Sequence, residues 1–437
     1  MIRARRVSKQ LRTAVVRPRE FSRGPGNTSG PVSHIIRPVP VGTPFHERTL
    51  ALCESLSYRD WSGYYTVSSY ETHHEHEYNA IRNAAALIDI SPLFKYLISG
   101  PGASRLVNRI ITRDVEQMAV GQVVYTPWCD EHGHVIDDGT VARIGAQQFR
   151  WTAAEPNLRW FTQNADGMTV TIEDVSEATA ALALQGPLSA RVLRACADVD
   201  IDRLRYFRVA SGRIAGVPVD VSRTGYTGDL GYEIWIPGDR AVSVWDALMD
   251  AGRLFDITPV GMLARDVARV EAGLLLIDVD FHGSRRAVIQ DQTYTPYELG
   301  LGRLVQLDKG PFVGHSALRA EAARGPRRQI VGLEVNWSDV EALYDRAGLP
   351  PVAPATASRT AVPVLRGERQ VGRATTTAWS PTLKRLVAIA CVDGRHAAEG
   401  ARLRLEMSIE GTRHFVGATV VGTPFFNPSR KTATPPL

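Results

Sequence analysis

The chain has 437 residues, 44% of them hydrophobic and 22% charged, with a formal net charge of +5. That length exceeds one ordinary domain and can build two or three cores, while no run of about eighteen uncharged apolar residues exists to span a bilayer. Cys53, Cys129, Cys196 and Cys391 lie far apart with no CxxC pair, which argues against a disulfide framework, a redox dithiol or a zinc site and fits a reducing, cytoplasmic compartment.

The positive excess sits at the start, where Arg3, Arg5, Arg6, Lys9, Arg12, Arg17, Arg19 and Arg23 meet the single acid Glu20. A disordered basic extension over residues 1–42 is the expectation, with a transit peptide for an organellar matrix as the alternative. A nucleic-acid partner would need basic residues interleaved with aromatics on a folded face, and the body has no such patch. Neither nucleic acid nor a membrane is expected as a partner.

Folded structure is expected from Thr43, with a helix over Glu47 to Leu56 and then an aromatic loop holding Tyr58, Trp61, Tyr64, Tyr65 and Tyr70. Those rings either wall a cavity or cover a core edge. His76 to Leu87 reads as a helix ending near Asp89, and Lys95 to Ser99 as a strand. Val123 to Cys129 and Val135 to Ile144 read as a hairpin joined by Asp130-Glu-His-Gly133. A strand over Phe149 to Ala153, a helix over Asn157 to Asn164 and a strand over Ala180 to Leu184 follow, then helices at about 240–253 and 260–272. From Arg327 onward short β runs recur, as in a small barrel or sandwich. The class is α+β, and no G-x-G-x-x-G follows a strand to suggest dinucleotide binding.

Within this frame four constellations carry chemistry. The run Ser222 to Ile234, SRTGYTGDLGYEI, spaces Gly225, Gly228 and Gly231 three apart between two strand-like flanks. It reads as a glycine-rich bend with Tyr226 and Glu233 on either side. Asp137 and Asp138 are adjacent in a strand, so alternation sends them to opposite faces and at most one enters a given pocket. Arg265 lies in a mostly apolar helix, as an ion-pair partner or as a bidentate clamp for a planar or anionic ligand. His73, His74 and His76 with Glu75 and Glu77 lack a second ligand pair, so a solvated helix start is expected rather than a metal centre.

Taken together, these segments resemble the glycine-cleavage T-protein (aminomethyltransferase) superfamily of tetrahydrofolate-dependent enzymes, over roughly residues 43–427. The markers run in order: Glu75-His-Glu77 through Asp89-Ile-Ser91, Val135-Ile-Asp-Asp138, Leu184-Gln-Gly-Pro187, Ser222 to Ile234, Ala264-Arg-Asp266 with Glu271-Ala-Gly273, Thr295 to Gly302, Lys309 to Gly314, and Ser380-Pro-Thr-Leu-Lys384. The resemblance implies a three-domain cloverleaf around a central folate channel, ending in a β-rich, barrel-like domain. The implied boundaries are a folate-binding α+β region of two interleaved domains at 43–280, a connecting α+β segment at 281–326 and a C-terminal barrel at 327–437.

By the same resemblance Asp138 lies by the reacting folate nitrogens, Glu233 recognises the pterin, and Tyr226 and Arg265 complete the folate site. Asp138 and Tyr226 are the catalytic candidates, tetrahydrofolate is the cofactor, and no metal is expected. The chain departs from the family at Pro92, where a histidine usually follows the Asp-x-Ser triplet, and at Asp229-Leu230, where an acid pair is usual. The first departure weakens the case for an aminomethyl-lipoyl carrier protein as donor. Tyr58, Trp61, Tyr65 and Trp128 are candidate walls for a small N-, S- or O-methylated donor, since aromatic faces attract methylated cations. The expected reaction is therefore methyl transfer to tetrahydrofolate. The alternatives are aminomethyl transfer, giving 5,10-methylene-tetrahydrofolate and ammonia, or a non-catalytic folate-binding protein.

Overall fold

The computed structural model describes residues 39–435; the remainder of the basic extension lies outside the described residues. Val41 and Gly42, expected within that extension, instead form a short strand, pairing in parallel with Tyr64 and Tyr65. The aromatic segment is not a loop. It is a hairpin, Ser57–Trp61 against Tyr64–Ser69, turned by Ser62 and Gly63, both at positive φ, the backbone that a two-residue hairpin loop needs.

A six-stranded sheet forms the centre of the N-terminal region, in the order Val209–Ile214, Val217–Ser222, Gly231–Pro237, Thr179–Gln185, Ala85–Asp89, Ile257–Pro259. All neighbours are antiparallel except the last pair. One face packs on the helices Ser189–Cys196 and Ala241–Gly252, with Val192, Leu193, Val244 and Leu248 fully buried against Leu182 and Ile234. The opposite face carries Glu75–Asn83 and Met262–Glu271. Ala85–Asp89 corrects the longer helix expected here: the helix stops at Asn83 and, after Ala84, five residues form a strand buried throughout. Covered on both faces, it lacks the polar-apolar alternation that would have marked it as a strand.

A second, antiparallel sheet of five strands runs Val123–Cys129, Val135–Gly145, Gln148–Ala153, Phe94–Ser99, Thr171–Asp174. The helices Ala103–Ile110 and Leu158–Asn164 close its core around Trp128, Trp151 and Phe161. The C-terminal β runs form a closed six-stranded barrel from Arg328 to Val421, in which every ladder is antiparallel and no edge remains. Its interior holds Leu333, Val364, Ala388 and Val416.

The glycine-rich run is a strand, an irregular loop over residues 223–230, and a strand, with Ser222 paired to Glu233. Two of its glycines make room for one side chain. A Cβ on Gly225 or Gly231 would stand 2.1 or 2.3 Å from Gln185 Oε1, and Gln185 is wholly buried, with its amide donating to the Thr224 and Tyr232 carbonyls. Gly225→Ala is expected to lower stability by about 1–3 kcal/mol through overpacking, measured by chemical denaturation; an unchanged midpoint would show that Gln185 can move aside.

Candidate active site

Asp138 enters the site from the strand Val135–Gly145, and alternation turns its neighbour the other way. Asp137 is fully buried and takes N–H donors from Asp138 at 2.8 Å, Asn157 Nδ2 at 2.9 Å and Glu155 at 3.0 Å. Burial and then the adjacent Asp138 charge push the Asp137 carboxyl well up, against donors that favour its ionised form. Asp138 instead accepts from Tyr125 Oη at 2.7 Å, on the neighbouring strand. Burial pushes it up to about 6, with the Tyr125 hydrogen bond opposing the rise.

Tyr226 lies on the 223–230 loop, its hydroxyl donating to the Leu275 carbonyl. The Asp138 charge acts on it from one side, and the Arg265 guanidinium carbon lies 5.7 Å from its ring centroid. Arg265 also stacks on Trp61 at 4.9 Å. It is 8% exposed, and its Nε is buried without a hydrogen-bond partner. The helix presenting it is pinned at its start: Glu77 accepts from Gly261 N at 2.6 Å and from Tyr70 N at 2.7 Å, tying helix to hairpin.

Glu233 opens the next strand, where Thr224 Oγ1 donates to its Oε2 at 2.5 Å. Among the described residues nothing donates to its Oε1. Burial raises its carboxyl, against Thr224 and the nearby Arg150 charge. Arg150 is held by Asp220 at 2.5 Å and stacks 4.8 Å over Trp235, with Nη2 buried and unpartnered. Arg265 thus lies over the Tyr226 ring, the Asp138 charge acts on the Tyr226 hydroxyl, and Glu233 is tied to the same loop through Thr224, two residues before Tyr226.

Other expectations change. Trp128 is completely buried, edge-on to Trp151 at 5.0 Å with its indole N–H on Asn157, so it is core rather than a donor wall. Tyr58 packs with Cys53, Val67 and Tyr70 in a satellite cluster, and Tyr65 is 37% exposed beside His46. Only Trp61 of the four wall candidates touches a folate-site candidate. His74, expected in solvent, is buried, and burial lowers its pKa. Asp229 and Leu230 face inward: Leu230 lies in the core, and Asp229 pairs with Arg82 at 3.4 Å and with Arg430 at 2.7 Å. Tyr125 and Arg150, which sequence reasoning missed, stand in strands, where a single polar residue gives no periodic signal; Tyr125 follows only from the strand register.

Residues 45–309 match the GCVT N-terminal domain model and residues 345–427 match the glycine cleavage T-protein C-terminal barrel domain model. The chain belongs to the glycine-cleavage T-protein superfamily. Membership makes it a one-carbon transferase. Among similar proteins, the aminomethyltransferase of Moorella thermoacetica is 34% identical over 359 residues, which is 81% of this chain and 90% of that one. The trimethylamine-oxide aldolase of Ruegeria pomeroyi is also 34% identical, over 402 residues covering 89% of this chain and 47% of that protein. The crystal structure of aminomethyltransferase T from Bartonella henselae shares the fold with a TM-score of 0.75 at 23% identity, over 89% of this chain and 98% of that one. As in that class of fold, helices and strands mix and the C-terminal barrel closes. Among the described residues no helix is long and apolar enough to cross a membrane.

Proposed function

We propose that this T-protein family member transfers a methyl group from a small methylated donor to tetrahydrofolate, releasing the demethylated donor and 5-methyl-tetrahydrofolate. The observation supporting the folate site is the grouping of Arg265 over the Tyr226 ring, the Asp138 charge acting on Tyr226, and Glu233 tied to the same loop, with Glu233 Oε1 and Arg265 Nε left without partners among the described residues. A pterin offers an N–H edge that a carboxylate accepts and a carbonyl that a guanidinium reaches, so the free valences fit the ligand. Asp138 would hold a proton leaving the attacking nitrogen and offset positive charge developing there. Tyr226, its hydroxyl committed to Leu275, would position Arg265 rather than move a proton. Support for a small donor comes from the departure at Pro92 and from the similarity to a relative named for trimethylamine oxide.

The second reading, aminomethyl transfer from a lipoylated carrier protein, is favoured by relatives named aminomethyltransferase. Mass spectrometry that separates methyl- from methylene-folate after incubation with each donor class decides between them. Folate binding has its own check: tetrahydrofolate at about 100 times its Kd should stabilise the protein by about 2.7 kcal/mol, seen as a raised Tm. An unmoved Tm would end the folate assignment.

A further inference from the structure

Pairing between the strands Val135–Gly145 and Gln148–Ala153 begins only at Gly139, so residues 135–138 have a strand neighbour on one side alone, Val123–Cys129. The stretch 277–294 covers the other side. The Val135 amide donates to the Tyr294 carbonyl at 2.7 Å, and the Ser284 amide donates to the Val135 carbonyl at 2.8 Å. Gly283 comes so close that a Cβ there would stand 2.4 Å from the Ile136 carbonyl oxygen. Ile277, Phe281 and Tyr294 are buried in one cluster with Val135.

An ionic contact ties the same stretch to Asp138 by a second route. Arg286 Nε lies 3.0 Å from Glu155 Oε2, and Arg286 Nη1 donates to Asp278, a residue at positive φ. The Glu155 amide donates to Asp137 Oδ2 at 3.0 Å, and the Asp138 amide donates to Asp137 Oδ1 at 2.8 Å. The contacts therefore run from Arg286 through Glu155 and Asp137 to the peptide that carries Asp138. Among the described residues no other cation pairs with Glu155. Arg285, whose charge also faces Asp137, is stacked on Trp160 at 4.6 Å, and His282 lies 3.6 Å from Asp278.

Burial pushes the Glu155 carboxyl up to about 7, with the Arg286 charge opposing the rise and Asp278 adding to it. The Glu155 charge bears on Asp137 in turn. Arg286 thus separates acids that would otherwise repel one another. Its side chain is 56% exposed and that of Glu155 22%, and so open an ion pair contributes little to stability. What it fixes is a geometry.

We infer that Arg286, acting through Glu155 and Asp137, is a positioning residue for Asp138, so that the stretch 277–294 sets the aim of the reacting carboxylate. The inference rests on the assignment of Asp138 to the chemistry and extends it. No bond chemistry is added.

Hydrogen–deuterium exchange of the full, ligand-free chain is the first test, read on peptides that carry the Asp138 and Glu155 amides. Arg286→Gln should speed exchange there by about 10- to 100-fold through local opening, while the barrel strands keep their protection. Arg286→Lys, which retains the cation, should restore most of the loss. Unchanged protection at those amides, or equal losses throughout the protein, would overturn the inference.

The second test is transfer to tetrahydrofolate from N-methylglycine, dimethylsulfoniopropionate, 4-methoxybenzoate and an aminomethylated lipoyl carrier. With any donor that reacts, the single-turnover rate should fall about 10- to 100-fold in Arg286→Gln, the scale of a small misplacement, and the Kd for tetrahydrofolate should stay put. In an Asp138→Asn background Arg286→Gln should cost nothing further, because the two residues act as one unit. A wild-type rate in Arg286→Gln, or the same loss in both backgrounds, would sink the positioning role alone. A wild-type rate in Asp138→Asn would instead remove Asp138 from the chemistry, and the inference with it. If none of the four donors reacts, the donor classes proposed above fail separately, and exchange alone decides the positioning.

Discussion

Asp138→Asn should slow one-carbon transfer by about 10²- to 10⁴-fold, the range of a positioned proton-transfer group, while tetrahydrofolate binding changes by much less. Single-turnover kinetics at saturating folate with the productive donor would show it, and an unchanged rate would remove Asp138 from the chemistry. The pH dependence has a definite sign. Burial pushes the Asp138 carboxyl up to about 6, and the ionised form is the competent one, so kcat/KM should fall as pH drops through that region. Tyr125→Phe removes the hydrogen bond that opposes the rise, moving this acidic limb to higher pH. Stability moves the other way. A carboxyl of pKa about 6 when folded and about 4 when unfolded binds more protons in the native state between those values. Its contribution therefore stabilises the ligand-free protein as pH falls from about 6 towards 4, a trend that Asp138→Asn should flatten.

Glu233→Gln should weaken tetrahydrofolate binding on the order of 100-fold, through the loss of charge-assisted bonds to a planar N–H edge, with kcat at saturating folate largely retained. Isothermal titration with tetrahydrofolate measures it directly. Because burial raises the Glu233 carboxyl, wild-type affinity should also decline at acidic pH, a decline that the glutamine variant lacks. Equal affinities in the two proteins would place pterin recognition elsewhere, with Arg150 the next residue to change.

The candidate site was legible where the signal was local. Strand alternation alone separates Asp137 from Asp138, and the structure sends one into a nest of N–H donors and the other to Tyr125. The glycines at three-residue spacing marked a close approach, although the group approaching, Gln185, comes from a strand forty residues earlier in the chain. The barrel strands Arg402–Ile409 and Thr412–Val421 alternate enough to be read from the sequence. Ala85–Asp89 was misread because burial on both faces erases alternation, and Trp128 because an aromatic residue looks alike in a pocket wall and in a core. The arginines around Asp266 had no local signal at all. Residues 59, 266 and 359 meet only once hairpin, helix and barrel are packed.

The loop bearing Tyr226 is held from a distance. Asp229, at its end, is clamped by Arg430, whose Nη2 also bonds the Arg82 carbonyl, while Phe426 lies under the Arg82 guanidinium at 4.6 Å and its amide bonds the Glu271 carbonyl. Arg430 is made 201 residues after Asp229. During synthesis the loop bearing Tyr226 therefore leaves the ribosome long before the arginine that clamps its end, so the loop can be fastened only after the barrel strands have been made.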